Sequence, residues 1–337
     1  MPVTPNRRAF LRGAAHLGLR LATAGAVLPR IARAAATPLR IVSNPGLENA
    51  TLNALMDRQG YLRHFGADVQ LVEVPGATGP FDAIAAGAAD VCMVSGYNMV
   101  LSRIEGGAPV RIVGAGMRKP ALAVFARPGI GTLADLAGRT VAVGGPMGLL
   151  HALMLQLLKE QGLDASPVRF VDKGSNDACY QAVVQGEADA CCSSISHLND
   201  EDGLVVVPGG RLWQALPHYV FQTAYASERA VRDRHEALVA VMAAYGRLYE
   251  HLMSAGARDA FFEARRRAQR RFDEASARAI WDFNQAQRPY AKDLSLSHSD
   301  IAYQQDMFIG LGGLKHKQPF DAVADMSAAR AAARLLG

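Results

Sequence analysis

Two strand–turn–helix units follow one another between Thr132 and Ser194, and this tandem restricts the possible folds more than any other feature. In the first unit a β-branched strand at 140–143 leads through a glycine-rich turn, Gly144 to Gly148, into an apolar helix at 149–161. Such alternation predicts an open parallel sheet with right-handed crossovers. Because the first-turn N–H groups of a helix lack intrahelical partners, the turn also predicts an anion site at the strand end.

The same alternation extends on both sides of the tandem. Strands are predicted at 39–43, 69–74, 90–95, 110–115 and 122–127, and then at 139–143, 168–171, 189–193 and 204–207. From Glu228 onward the chain is almost entirely helical, with apolar residues from Leu238 to Leu252 spaced for one buried face. The sequence therefore predicts an α/β protein with two lobes, two hinge crossings near 122–128 and 218–226, and a helical C-terminal tail packed on the first lobe.

The first 36 residues have the composition of an export signal. Arg7 and Arg8 precede a weakly apolar segment and the end Ala32-Arg33-Ala34, as is typical of a twin-arginine (Tat) signal, with an amphipathic helix as the alternative. Leaving out residues 1–34 removes six arginines from the 36 basic residues, and the remaining 30 face 31 acidic residues. The exported protein therefore has no basic excess, and a nucleic-acid partner is not expected.

These features give an expected organisation of the chain. A signal covers 1–36, the first lobe combines 37–126 with 219–337, and the second lobe covers 127–218. Strand ends from both sheets face a shared cleft, where a ligand is expected. The sequence lacks metal-ligand spacing, a nucleophile elbow and a phosphate loop, so no metal, cofactor or catalytic residue is expected. The basic run at 265–271 is expected on a solvated helix face, with partner docking as the alternative.

Four cysteines, Cys92, Cys179, Cys191 and Cys192, enter an oxidising compartment if the signal is used. Their even number permits disulfides without requiring them. Cys92 and the adjacent pair lie in apolar strand-like runs, where small buried side chains are expected. Whether Cys179 bonds to one of the adjacent pair is left open by the sequence.

Three segments together resemble a known family: TLADLAGRTVAV, QAVVQGEADACC and the earlier echo DAIAAGAADVCMVSGYNMVL. They are similar to the type II periplasmic solute-binding proteins, in the branch of aliphatic-sulfonate, nitrate and taurine receptors and thiamine-pyrimidine precursor proteins. In both repeated phrases a helix ends at a glycine, Gly87 or Gly186, which we expect in the left-handed conformation. The resemblance implies a monomeric periplasmic receptor that captures a small organic anion, sulfonate-, carboxylate- or pyrimidine-like, for an ABC permease and its ATPase.

The resemblance also implies the positions of the ligand-binding residues. It places the anionic head on the second-lobe turn, at Gly145, Met147 and Gly148, with His151 one helical turn further. Since Pro146 and Met147 stand where many relatives have a hydroxyl, backbone amides are expected to carry more of the binding. Strand-end loops and nearby side chains complete the set: Ser43, Asn44, Ser95, Gly96, Tyr97, Arg118, Ser175, Ser193, Ser194 and Phe221. The alternatives are plain turns for the loops, sheet packing for His151 and solvation for Arg118 and Lys119.

Two catalytic branches also resemble this chain, the aromatic-sulfinate desulfinases and the thiamine-pyrimidine synthases. The desulfinase pattern has a nucleophilic cysteine directly after Ser-Asn, where this chain has Pro45. The synthases carry a cysteine cluster in the returning crossing, and residues 218–222 contain no cysteine. A binding protein is therefore expected rather than an enzyme, and Gly148→Asp is expected to abolish anion binding by setting a carboxylate against the helix N-terminus.

Overall fold

The computed structural model describes residues 37–76 and 78–337, and the predicted export signal over 1–36 lies outside these residues. Ten strands are found in the described ranges: β1 (Leu39–Ser43), β2 (Val69–Glu73), β3 (Val91–Ser95), β4 (Val110–Ala115), β5 (Leu122–Ala126), β6 (Thr140–Val143), β7 (Arg169–Asp172), β8 (Ala190–Ser194), β9 (Val205–Arg211) and β10 (Thr223–Ser227). They form two five-stranded sheets, both within the compact unit Pro38–Gly337.

Helices connect and cover these strands. In chain order they are α1 (Leu47–Gln59), α2 (Tyr61–His64), α3 (Gly79–Ala85), α4 (Tyr97–Glu105), α5 (Leu149–Glu160), α6 (Asn176–Val184), α7 (Leu212–Ala215), α8 (Glu228–Asp233), α9 (His235–Leu252), α10 (Arg258–Ala268), α11 (Glu274–Gln287), α12 (His298–Gly310), α13 (Phe320–Val323) and α14 (Ser327–Leu336). Short 3₁₀ turns lie at Leu133–Leu136, Ile195–His197 and Ala255–Ala257. The predicted two-lobed α/β architecture is confirmed.

The two sheets have the same internal arrangement. The first has the strand order β2-β1-β3-β10-β4, and the second has the order β7-β6-β8-β5-β9. In the first sheet β1 pairs in parallel with β2 and β3, and in the second β6 pairs in parallel with β7 and β8. The carboxyl ends of these parallel strands are therefore aligned within each sheet, and the loops that follow them lie on one edge.

The prediction of purely parallel sheets is wrong at one strand in each. β10 runs antiparallel to β3 and β4, and β5 runs antiparallel to β8 and β9. Each crossing passes from one sheet to the other at the cleft, where the parallel strands of both sheets end. The strand that follows a crossing therefore starts at the carboxyl ends of its new neighbours and runs antiparallel to them. β5 belongs to the second sheet, which corrects its predicted place in the first lobe. The other lobe boundaries stay predictions.

Apolar strands and one face of each long helix form the core. β6 is buried along its whole length, and α5 buries Leu150, Leu153 and Leu157. The predicted apolar face of α9 is buried from Leu238 to Leu252. None of the helices described combines the length and apolarity needed to cross a membrane. Burial of this apolar area is the main force that holds the sheets and helices together.

The C-terminal tail packs on the first sheet, as predicted. The Ala115 N–H donates to the Leu294 carbonyl over 2.7 Å, and the Asp325 N–H donates to the Ile112 carbonyl over 2.8 Å. These bonds cover the outer edge of β4, which would otherwise expose unpaired backbone groups. The tail also contacts the second lobe, because the rings of Phe283 on α11 and Trp213 on α7 meet edge to face at 5.2 Å. The helix α11 therefore lies beside both lobes.

Candidate ligand-binding cavity

A cavity of about 600 Å³ lies between the two sheets and is lined by residues of both lobes. Its walls include the loops that follow the carboxyl ends of four parallel strands. These loops contribute Asn44 and Gly46 after β1, Ser95 and Gly96 after β3, Ser175, Asn176 and Asp177 after β7, and Ser194 and Ser196 after β8. This is the edge at which open α/β sheets bind ligands, so the predicted position of the cleft agrees with the observed cavity.

Three helices, α1, α4 and α5, begin at this cavity with a glycine N-cap, which has no side chain to cap the first turn. The N-cap residues Gly46, Gly96 and Gly148 all have extended backbone conformations. At a fourth helix, α6, the Ser175 hydroxyl accepts from the Ala178 N–H at 3.2 Å. The N–H groups of a helix's first turn and the positive end of its dipole favour a negatively charged group at such a terminus.

A buried arginine adds a full positive charge to the cavity wall. Arg265 lies on α10, three and four residues after the buried Phe262 and Phe261, and it is 0% exposed. Its guanidinium donates to Glu48 Oε1 at 2.7 Å and to Ser276 Oγ at 2.9 Å. Its Nε has no hydrogen-bond partner. A buried arginine with a free donor is costly unless a ligand acceptor completes its hydrogen bonds.

A buried amide lies on the same wall. Asn284 on α11 is 0% exposed, and neither its nitrogen nor its oxygen makes a hydrogen bond of regular geometry, although the neighbouring Tyr290 hydroxyl interacts with it. Tyr290 lines the cavity too and stacks on Tyr249, with ring centroids 4.8 Å apart. Buried polar groups in native proteins are almost always satisfied, so these amide atoms mark a second point where a polar ligand group fits.

The opposite wall carries a histidine held between two carboxylates. His197 stacks on Tyr180 with centroids 4.0 Å apart, its Nδ1 lies 2.7 Å from Asp200 Oδ2, and its Nε2 lies 3.2 Å from Asp177 Oδ1. Burial opposes the charged imidazolium, but the hydrogen bonds to Asp177 and Asp200 outweigh it and raise the pKa of His197. The hydrogen bond with His197 in turn holds the pKa of Asp177 below its usual range.

This arrangement predicts how stability depends on pH. Because the folded state raises the pKa of His197, its stabilising contribution is complete below the unfolded value of about 6.5 and is lost as the pH rises through the folded value. The wild-type protein should therefore melt a few degrees above the His197→Gln variant at pH 6, and this difference should shrink by pH 9. Melting curves at both pH values test this, with His64→Gln at an exposed histidine as the control. A difference that grows with pH would contradict it.

Six of the predicted site residues line the cavity: Asn44, Ser95, Gly96, Ser175, Ser194 and Phe221. Two others lie beside it without lining it. Ser43 ends β1 and its carbonyl accepts from the Val74 N–H, while the buried Ser193 hydroxyl donates to the Asn176 carbonyl at 2.7 Å. The backbone at Tyr97 starts α4, and its side chain lies outside what the structure describes.

The glycine-rich turn after β6 lies beside the cavity, since the next residue, Leu149, lines it, and two of the turn's amides donate to neighbouring groups. The Met147 N–H donates to His151 Nδ1 at 3.0 Å, and the Gly148 N–H donates to the Gly145 carbonyl at 2.8 Å. Gly145, Met147, Gly148 and His151 are absent from the cavity lining. Burial lowers the pKa of His151, which keeps its ring nitrogen available as an acceptor. In the structure described, two of the amides predicted to hold the anionic head therefore donate within the protein, and the binding role of the turn stays a prediction.

The cationic side chains predicted near the first crossing bind other parts of the protein. Arg118 Nη2 donates to Asp300 Oδ1 at 2.7 Å, and Lys119 Nζ donates to the Gln287 carbonyl at 2.8 Å. Both partners belong to the C-terminal tail, and neither Arg118 nor Lys119 lines the cavity. These two residues fasten the crossing to the tail.

Sequence reasoning missed the two charged clusters of the cavity. The sequence predicts the run at 265–271 on a solvated face, yet Arg265 is fully buried while Arg266 and Arg267 are exposed. A signal existed, because Arg265 follows Phe262 by three residues and Phe261 by four, which puts all three on one helix face. For His197 the signal was partial, since Asp200 follows it by three residues while Asp177, 20 residues earlier, reaches it only through the fold of the second lobe.

The four cysteines are all buried and all free, so no disulfide joins them. Burial raises the pKa of the Cys92 and Cys179 thiols to about 11 and raises those of Cys191 and Cys192 as well. Neutral, buried thiols of this kind are poor nucleophiles. Among residues 37–76 and 78–337, no group of three or more His, Cys, Asp or Glu side chains is placed to hold a metal ion.

Two α/β lobes, each with one antiparallel strand inserted at a crossing, and a cavity between them define the type II periplasmic-binding-protein fold. The model of the NMT1/THI5-like family matches residues 55–282, and the chain belongs to this family. A comparison with curated proteins finds no match.

Solved structures with the same fold include binding proteins and an enzyme. The alkanesulfonate-binding protein SsuA from Xanthomonas axonopodis pv. citri, bound to MOPS, is 20% identical, with a TM-score of 0.68 over 85% of this chain and 97% of that one. The ligand-binding component of an ABC-type import system from Staphylococcus aureus is 10% identical, with a TM-score of 0.69 over 87% and 98%. The desulfurization enzyme DSZB is 16% identical, with a TM-score of 0.63 over 88% and 99%. At these identities the likeness establishes the fold alone.

Proposed function

We propose that this protein is the periplasmic substrate-binding component of an ABC importer, exported by the Tat pathway, and that it captures a small organic anion in the cavity between its lobes. The observation that carries this proposal is the fully buried Arg265, which lines the cavity with its Nε unpartnered. The uncapped N-termini of α1 and α4 on the same cavity add partial positive charge. An anionic head with two or three acceptor oxygens satisfies these donors together.

The cavity also suits the size of the proposed ligands. A volume of about 600 Å³ is in the range of small-molecule sites and exceeds what an inorganic anion fills. Apolar and aromatic side chains, including Leu52, Leu122, Phe221 and Ile280, line the remaining surface. The head of the ligand is therefore proposed to be a sulfonate or carboxylate, and its body an alkyl or aromatic group.

Binding rather than catalysis is supported by the thiols and by the loop after β1. The loop holds Pro45 directly after Asn44, and the four described cysteines are buried with raised pKa values. A receptor of this fold binds by closing its lobes on the ligand, because the ligand contacts both of them. Transfer to a permease and its ATPase, by a monomeric receptor, is part of the proposal.

A thermal-shift screen of the chain from Thr37 onward tests this function. The probes are nitrate, alkanesulfonates of two to six carbons, benzenesulfonate, benzoate and an aminopyrimidine. A probe present at a hundred times its dissociation constant should stabilise the protein by about 2.7 kcal/mol, which raises the melting temperature by about 4 °C. No shift with any probe would contradict the proposal. Release of sulfite from an aromatic sulfinate would instead favour the enzymatic alternative.

A further inference from the structure

Six side chains of the described cavity lining carry a charge or can carry one, and their contacts place them beside the first turn of α11. They are Glu48, Asp177, His197, Asp200, Arg265 and Asp273. Arg265 donates to Glu48 at 2.7 Å and to Ser276 Oγ at 2.9 Å, and Asp273 is the N-cap of α11. His197 holds Asp177 and Asp200, and Asn199 beside it donates to the Ala275 carbonyl at 3.2 Å. An anionic head bound to Arg265 therefore lies near the N-terminus of α11.

An uncharged polar side chain lies further along the same helix. Asn284 follows Ser276 by eight residues, which corresponds to about 12 Å along the axis of α11. Asn284 lines the cavity and is 0% exposed, and its amide makes no hydrogen bond of regular geometry with another described residue. The Tyr290 hydroxyl interacts with this amide, but one hydroxyl cannot satisfy two donor hydrogens and two acceptor lone pairs. Asn284 therefore keeps hydrogen-bonding capacity for a ligand.

The surroundings of Asn284 are apolar and favour a neutral ligand group. Ile280 and Phe283 lie within about one turn of it on α11 and line the cavity. Met117 lines the cavity too and forms an antiparallel bridge with Tyr290. A second charge bound here would lose its hydration without gaining an oppositely charged partner. A primary carboxamide suits the position better, because its N–H and C=O can pair with the Asn284 amide through two hydrogen bonds.

We propose that the ligand carries a neutral amide group, bound by Asn284, at a fixed distance along α11 from an anionic head bound by Arg265. The inference rests on the proposed function, because it assigns the body of the same ligand. Arg265 anchors the anion, while Asn284 selects among anions by the group at their other end. A ligand that is too short reaches only one of the two residues, so the pair also selects for length.

Titration calorimetry with two matched series of probes tests this inference. Both series are alkanesulfonates with three to eight methylene groups; one ends in a primary carboxamide and the other in an isopropyl group of nearly the same shape. The wild-type protein should bind the amide of the best length at least about 10-fold more tightly than its isopropyl counterpart, because the latter leaves Asn284 unpaired. This preference should peak at one chain length, since both ends are fixed.

In Asn284→Leu the affinity ratio of amide to isopropyl probe should fall to about one or below, because the ligand amide then lacks its partner. The variant should fold, since leucine is of similar size and removes a buried amide that has no regular hydrogen bond to the described residues. Gln285→Leu is the matched control. It removes the neighbouring amide of α11, which donates to the Leu252 carbonyl at 2.9 Å and is absent from the described lining, and it should leave the ratio unchanged.

Equal binding of the two series by the wild-type protein would overturn the inference and leave the proposed function intact. An amide preference that survives in Asn284→Leu would do the same. If neither series binds but another probe of the thermal-shift screen does, the inference alone fails. If no probe binds, the proposed function fails and the inference falls with it, so the two failures are distinguishable.

Discussion

Replacing Arg265 with methionine is expected to weaken binding of the best anionic probe by at least about 100-fold, because charge-assisted hydrogen bonds in a buried site contribute several kcal/mol. The variant should still fold. Loss of the Arg265 guanidinium leaves Glu48 unpaired, but that carboxylate is half exposed and remains hydrated. Titration calorimetry with the probe from the thermal-shift screen measures the change in dissociation constant.

Arg267→Met is the matched control for this prediction. Arg267 lies on the same helix two residues further on, is exposed, and pairs with Glu263 at 2.8 Å. The control should bind the probe with wild-type affinity, and Arg265→Lys should recover only part of the lost affinity because it lacks the Nε donor. Wild-type binding by Arg265→Met would show that the anion is held elsewhere.

Gly148→Ala is expected to destabilise the protein by about 1–3 kcal/mol, and thus to lower its melting temperature by about 2–5 °C. A Cβ at this position would lie 2.8 Å from the Gly145 carbonyl oxygen, which is backbone and cannot move aside cheaply. The same carbonyl accepts from the Gly148 N–H, and Met147 between them has a φ of 57°, so the turn has little freedom to adjust. Anion affinity should change less than about 10-fold, because the turn does not line the cavity.

Gly131→Ala is the control for the turn, since a Cβ there meets only an ordinary contact at 3.7 Å and should leave the melting temperature almost unchanged. The outcome separates two positions for the anion. A variant with normal stability and no binding would place the anionic head on the glycine-rich turn, as the sequence predicts. A less stable variant that still binds supports the cavity beside Arg265.

The architecture could be predicted because it depends on local patterns that repeat along the chain. Gly87 and Gly186 end their helices with φ values of 73° and 77°, as expected from the phrases in which they occur. The apolar face of α9 and the strand–turn–helix order are likewise readable from spacing alone. The direction of β5 and β10 could not be predicted from spacing, because it depends on the side from which each crossing enters the other sheet.

The site was harder to predict because its chemistry comes from distant parts of the chain. Arg265 meets Glu48 across 217 positions of sequence, and His197 meets Asp177 across 20. Several of the strand-end loops predicted to contact ligand do line the cavity, since their placement follows from the sheet, and their ligand contacts stay a prediction. A motif such as the glycine-rich turn shows free amides only if no neighbouring group accepts from them, and here His151 and Gly145 do.

A crystal structure of the protein from Thr37 onward, grown with the probe of highest affinity, would show where the anion binds. We expect the anionic group within hydrogen-bond distance of the Arg265 guanidinium and the body of the probe in the cavity between the lobes. An anionic group bound at Gly145 to Gly148, with the cavity beside Arg265 holding only solvent, would contradict this expectation.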